Sequence, residues 1–453
     1  MPNREIYLIL QYFVSAVANW WWLILPFIFL KPLLFLYRWW RVESWLSKQK
    51  IVLLEIRLPR DITKPIRAME GVLSSIASAT FQPPDFWEQW IDGQVQLSIS
   101  LEIASINGTP HFYIRTPASY KDAIESSFYA QYPEIEINEV DDYTKYVPQN
   151  IPNKEWNMFA GDYVLIKDDH LPIKTYIEFE TEMEKEEEKR VDPMAALLEA
   201  MAKIKEGEQL WIQIIIEPFS DADAIKMLWG ITTKPGSFGV WRKKGEELRD
   251  KIARRPEANA ATKPMIQEAA QILITGKISE EEISQEKDII PPEMKLTPGE
   301  REVLAAIEHK MSKVCYSTSI RFIYLGKRDV WFKPNFRLAF SFFNQYSTNN
   351  RNSLFVMGSG ATLTKIAKSV FFPPLNWGFI KNRRAYLRCR RQFRNYIRRF
   401  TPYFPRSPRG TYVMNVEELA SLFHLPGKGA APAPGLIRLE AKKGGGSSNL
   451  PSE

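Results

Sequence analysis

Cysteine is nearly absent from this sequence of 453 residues: Cys315 and Cys389 stand far apart. That excludes a disulfide framework or a cysteine-rich metal site and points to a reducing compartment. Only four histidines occur, His111, His170, His309 and His424, and no two have ligand spacing, which argues against zinc. A phosphate-binding loop is missing as well. Gly358-Ser359-Gly360 with Lys365 lacks the spacing of Gly, four residues, then Gly-Lys-Ser/Thr, and Gly276-Lys277 is followed by Ile278. No Ser/His/Asp or Cys/His set stands out, and glutamates such as Glu186-Glu187-Glu188 lie in solvated runs. Neither a cofactor nor catalysis is expected. Acid is absent from Val330 to Val416, where sixteen Lys and Arg occur; with a net charge of +7, the remainder carries −9.

What is present is an apolar start. Residues 6–37 are almost wholly apolar, interrupted by Gln11, Asn19 and Lys31. A spanning helix needs about 20 such residues, so the pattern predicts a span within residues 8–30 and an interfacial stretch after it. The run continues into Trp39-Trp40 with no small-residue cleavage site, unlike a signal peptide. Trp20, Trp21, Trp22, Trp39 and Trp40 are the expected membrane-anchor aromatics. Arg38, Arg41, Lys48 and Lys50 follow the run and Arg4 precedes it, which predicts a single-pass protein of the cell membrane with its C-terminal domain in the cytoplasm. The alternative is a buried core helix.

With 45% hydrophobic residues, the rest suffices for two or three cores. Residues 51–59 read as a strand, and a helix follows with Met69, Val72, Leu73 and Ile76 on one face. Val95, Leu97, Ile99, Leu101 and Ile103 alternate as in a half-buried strand. Asn107-Gly108 then turns the chain into the strand His111–Arg115. Ser119 with Asp122 caps a second helix, and Ile135 and Ile137 mark a closing strand. The order is β-α-β-β-α-β. A second lobe is expected to open with a strand of alternating Ile173, Thr175, Ile177 and Phe179. A helix capped by Asp192-Pro193, the strand Leu210–Glu217, a helix opened by Thr297, Pro298 and Glu300, and the strand Tyr316–Leu325 follow. The fold class predicted is α+β: an N-terminal transmembrane helix followed by tandem ferredoxin-like lobes with a helical insertion. The divisions are 1–50 (anchor), 51–150 (first lobe), 151–370 (second lobe, insertion at 219–296), 371–426 (basic segment and closing motif) and 427–453 (Gly/Ala/Pro-rich flexible tail).

The strongest chemical feature is Lys381–Arg409, with eleven Lys and Arg and no acid. Helical spacing over 381–400 places Cys389, Phe393, Tyr396, Ile397 and Phe400 on one face. Arg384, Arg388, Arg391 and Arg398 fall on another and form the candidate polyanion site, for nucleic-acid phosphate or anionic lipid. Against this stands a solvated helix whose arginines pair with the acidic lobes.

The segment Met414-Asn415-Val416-Glu417-Glu418-Leu419-Ala420-Ser421-Leu422-Phe423-His424-Leu425-Pro426 resembles a motif of bacterial membrane proteins related to conjugation and type IV secretion ATPases. Trp211-Ile212-Gln213-Ile214 through Pro218 looks like the same family, as do Glu308, Lys310, Tyr316, Ile320 and Arg321. In those proteins the motif closes the region ahead of the P-loop motor, and a linker like residues 426–453 runs on into it. This sequence ends there, so the resemblance implies a place in a DNA or protein translocation system without ATP hydrolysis by this chain. Asn415 is the expected cap of the short helix, with Glu417, Glu418 and His424 as helix-start and packing residues. The implied function is a non-catalytic membrane-anchored component that docks a separate P-loop motor ATPase in trans. The alternative is a membrane-tethered nucleic-acid-binding module without a motor, and an enzyme of unrecognised type ranks last. Expected partners are membrane lipid, the motor, DNA and further copies of the chain.

Overall fold

The computed structural model of the protein describes residue 15 and residues 29–59, 64–179, 192–219, 240–254, 296–356, 378–399, 411–427 and 438–439. Its described residues divide into two units, one from Met1–Lys50 with Gln82–Gln96 and the other from Ile51–Phe81 with Leu97–Glu453. In the first unit residues 29–46 form helix α1, and Glu88–Asp92 form a π-helical turn closed by Gly93 at φ 75°. Arg38 lies over the Trp90 ring at 5.9 Å, and Phe86 meets Trp87 edge-on.

The second unit is built on one ten-stranded sheet. Strands β1 (Ile51–Pro59), β2 (Ile99–Ile106), β3 (Thr109–Pro117) and β4 (Glu136–Val140) lie in the order β4-β1-β3-β2, all antiparallel. Asn107 (φ 53°) and Gly108 (φ 84°) make the tight β2–β3 turn, which needs positive φ at both positions. Strands β5 (Trp156–Leu165), β6 (Glu208–Pro218), β7 (Cys315–Lys327) and β8 (Leu354–Val356) continue as β6-β7-β5-β8. Strand β9 (Tyr412–Asn415) pairs with the start of β7, and β10 (Arg438–Leu439) pairs with the end of β1 in parallel.

Helices α2 (Arg67–Thr80), α3 (Lys121–Gln131), α4 (Tyr176–Phe179) and α5 (Pro193–Ala202) precede α6 (Val240–Ile252) and α7 (Pro298–Ser312). The last three are α8 (Arg337–Asn344), α9 (Gly378–Ile397) and α10 (Val416–Leu422). Met69, Val72 and Ile76 of α2, Ile124 and Phe128 of α3, Leu197 and Met201 of α5, Phe343 of α8 and Leu419 of α10 join one core with Leu54, Ile103, Phe112, Ile212 and Phe322 of the sheet. On the opposite face Cys389, Phe393 and Tyr396 of α9 pack with Trp211, Met158 and Ile323.

The fold-class expectation is corrected on two points. Among the described residues no helix is long and apolar enough to cross a membrane. Most of the expected span at 8–30, with Trp20, Trp21 and Trp22, lies outside the described residues. Trp39 and Trp40 are exposed on α1, whose Lys31, Arg38, Arg41 and Glu43 break the apolar run; ionised groups are costly inside hydrocarbon. The halves are also not separate lobes. β2 pairs along its whole length with β6, from Ile99↔Ile216 to Ile106↔Gln209, which closes both sheets' free edges in one ladder.

The expected strand at 173–179 is a loop leading into α4, because the Ile173 N–H donates to the Glu418 carboxylate (2.9 Å) and the Tyr176 N–H to Ser421 Oγ (2.8 Å). β5 takes the strand's place. Ser119 and Asp122 make no cap on α3, whereas Asp192 accepts from the Met194 N–H (2.8 Å) and caps α5. Thr297 and Glu300 form a reciprocal capping box at α7. Of the expected insertion, residues 219, 240–254 and 296 are described.

Candidate polyanion-binding groove and the buried network beneath it

Cross-strand register sets a polar row across the sheet. Asn138 pairs with Glu55, Glu55 with Tyr113, Tyr113 with Glu102, Glu102 with Gln213, Gln213 with Arg321 and Arg321 with Asp162. Seven strands thus each give one polar side chain to a single line. Burial makes Glu55, Glu102, Gln213 and Arg321 need partners, since an unpaired buried charge or amide is expensive. Gln213 Nε2 donates to Glu102 Oε1 (2.9 Å), and Tyr143 Oη to Glu102 Oε2 (2.7 Å). Arg321 Nη1 donates to the Asn395 carbonyl (2.7 Å), and its Nε lies 3.4 Å from Asp162 Oδ1. Gln392 Nε2 donates to Asp162 Oδ2 (2.8 Å).

This row is what α9 lies over. Two residues past the helix, Arg399 adopts φ 50°, and its guanidinium reaches down to Glu102 and Asp142. Burial would push the Glu102 carboxyl up, but the Arg399 charge together with hydrogen bonds from Arg399, Ser100 and Tyr143 holds it below its usual range; at Asp142, Arg399 and Thr144 together overcome burial in the same way. Arg115 is compensated only in part: burial first, then the nearby Arg399 charge, pulls its guanidinium down to about 10 against the opposing charges of Glu102 and Asp142. Apolar packing of Cys389, Phe393 and Tyr396 and ion pairing of Arg399 together fix α9 on the sheet.

With α9 so placed, a groove of about 540 Å³ opens between it and the loop carrying Gln149. Leu387, Phe393 and Ile397 supply apolar lining, and Arg390, Arg391, Arg394 and Arg398 the charge, with no carboxylate among the described lining residues. Of the arginines predicted from sequence, Arg391 and Arg398 line the groove. Arg384 and Arg388 lie elsewhere on α9, exposed and half-buried respectively. Sequence spacing missed Arg390 and Arg394, because which arginines share a concavity depends on what stands opposite the helix. Phe400 and residues to 410 lie outside the described residues.

The closing motif is buried throughout and internally bonded. Asn415 Oδ1 accepts from the Glu418 N–H (2.8 Å) and Glu418 Oε2 from the Asn415 N–H (3.0 Å), a capping box on α10. Glu418 also meets Lys310 Nζ at 2.7 Å, with neither side chain exposed at all. Glu417 binds His309 Nε2 (2.7 Å) and Lys313 Nζ (2.6 Å), and Lys313 reaches on to Glu70 of α2 (2.9 Å). His424 bonds the Ala420 carbonyl (2.9 Å) and Asp192 Oδ1 (2.8 Å). These groups tie α2, α5, α7 and α10 together.

Asp168, Asp169 and His170 bring possible ligand atoms within 4.8 Å of one another. All of their ligand atoms but Asp168 Oδ2 are already engaged. His170 Nδ1 bonds Asp168 and its Nε2 the Trp241 carbonyl (2.7 Å), while Asp169 accepts from Trp241 Nε1 (3.0 Å) and the Val413 N–H (3.0 Å). The cluster pins α6 and β9 and does not fit a metal centre.

Fold and site together define an α+β domain with a continuous sheet that is antiparallel except at β10, an apolar helical layer on one face and a basic helix over a polar row on the other. The chain belongs to the family described as domain of unknown function DUF8128, whose family model matches residues 43–431. No curated protein matches the sequence.

Proposed function

We propose that this protein is a non-catalytic docking component of a conjugation-like or type IV secretion-like apparatus for DNA or protein transfer, working beside a P-loop motor ATPase. The supporting observation is the buried motif from Asn415 to His424. Its capping box, the Lys310–Glu418 pair and the His424–Asp192 bond lock the family-like residues together, and the Glu417–Lys313–Glu70 bridge ties them to α2, making a seam between the halves of the sheet. A platform that passes load between a motor and its substrate needs such a seam, since packed, fully bonded networks hold one geometry. The family-like Arg321 lies in the polar row and Lys310 in the seam, so the resemblance falls on architecture. Spanning helices play no part in this reading.

The test is crosslinking in the native cells, affinity isolation of the full chain and mass spectrometry. A P-loop ATPase recovered with it, and absent with the seam variant Glu417→Ala, is the expected result. Recovery of the chain without any such ATPase would sink the proposal. A second reading, a nucleic-acid-binding module acting without a motor, is favoured by the arginine-lined groove.

A further inference from the structure

We infer that the groove between α9 and the loop carrying Gln149 binds the phosphate backbone of single-stranded nucleic acid. The inference stands on the groove and holds whether or not the protein serves a transfer apparatus. Arg391, Arg394 and Arg398 recur at helical spacing along one wall, a stripe of about 10 Å at 1.5 Å per residue. Arg390 joins them and holds the facing loop through the Gln149 carbonyl (3.4 Å). Such a stripe matches two or three successive phosphates of one strand, roughly 3.4 Å or more apart.

Three described carboxylates beneath α9 are bound to groups other than the groove arginines. Glu102 and Asp142 bind Arg399, and Asp162 binds Arg321 and Gln392. Leu387, 53% exposed, and the partly buried Ile397 give bases somewhere to go, and Tyr386, 47% exposed and one turn ahead of Arg390, offers a ring for stacking. A duplex keeps its bases stacked inside and has no use for such a lining. A lipid surface would need an apolar helix face to insert, but Cys389, Phe393 and Tyr396 are already packed against the sheet.

The experiment titrates the full chain against a labelled oligothymidylate of about twelve nucleotides, within the usual site size, over a salt series. Parallel titrations use a duplex of the same length and vesicles of phosphatidylserine and phosphatidylcholine. The expected result is salt-sensitive binding of the single strand, strongest of the three. In the variant Arg390→Gln/Arg391→Gln/Arg394→Gln/Arg398→Gln, the log–log salt slope should fall by about 0.7 for each phosphate no longer neutralised. Tyr386→Ala should weaken binding by roughly 5- to 150-fold through the missing stacking partner. Circular dichroism checks the fold; if the quadruple variant unfolds, Arg394→Gln and Tyr386→Ala carry the test, both being exposed positions. Equal affinity of folded variant and wild type overturns the inference. So does tighter binding of the duplex or of the vesicles, or no binding of the oligonucleotide at low salt.

Discussion

Arg399 and Glu102 stand 297 residues apart in sequence, yet Arg399 Nε lies 2.9 Å from Glu102 Oε1, and neither side chain is more than 2% exposed. One carboxylate on a central strand therefore holds down the end of the basic helix. A second, Asp142, grips the same guanidinium from the loop side.

Removing that guanidinium leaves a buried carboxylate unpaired. Arg399→Ala should cost about 3–5 kcal/mol of stability, read from the shift of a urea unfolding midpoint. Arg399→Gly suits the left-handed backbone and should recover only about 1–2 kcal/mol of that. Glu102→Gln in combination with Arg399→Ala should cost less than the sum of the single changes, because the uncompensated charge is gone. Cys389, buried on the sheet-facing side of α9, gives an independent readout: its thiol should label faster in Arg399→Ala as the helix lifts. Additive costs with unchanged labelling would show that the pair does not anchor the helix.

Asn415 and Glu418 share one capping box but should differ widely in cost. Asn415→Ala removes one side-chain acceptor from the start of α10, worth about 1 kcal/mol. Glu418→Ala also abandons Lys310 and the Ile173 N–H in the interior, so about 3–5 kcal/mol is expected. Thermal or urea denaturation of both variants decides it. Similar costs would mean that Lys310 finds another partner or leaves the core.

His170 makes the attachment of α6 pH-sensitive. Burial disfavours its charged form, but the Asp168 carboxylate and the Trp241 carbonyl raise its pKa above the ordinary 6.5. The raised value means the folded protein holds this proton more tightly than the unfolded chain. The contribution is whole below pH 6.5 and is lost as pH rises through the folded value. Asp168, drawn down to about 2 chiefly by its bond to His170, keeps its half of the pair until strongly acid pH. Amide exchange in residues 240–252 should therefore show more opening at alkaline than at mildly acid pH, after correction for intrinsic exchange. His170→Gln should flatten that difference. A difference that survives the substitution would place the titrating group elsewhere.

By itself the sequence determined the local elements. The apolar stretch at 51–59 marked β1, alternation marked β2 although Val95 and Leu97 lie ahead of it, Asn107-Gly108 the hairpin from β2 into β3, and Asp192-Pro193, Thr297-Glu300 and Asn415 the starts of three helices. These features are legible because strand period, turn φ and helix caps act over a few neighbouring residues. The stripe of Cys389, Phe393 and Tyr396 was legible for the same reason. Tertiary structure alone decided the rest. Glu102 in a strand of alternating Ile and Leu reads as a solvent-facing residue until a helix from the far end of the chain covers it. Ile173–Phe179 alternates like a strand, but side chains of α10 take two of its backbone N–H groups. The choice of Arg390, Arg391, Arg394 and Arg398 as one wall depended on the loop opposite. Partners separated by hundreds of residues leave no periodic trace, because their pairing is set by which strand edges meet and which charges burial forces together.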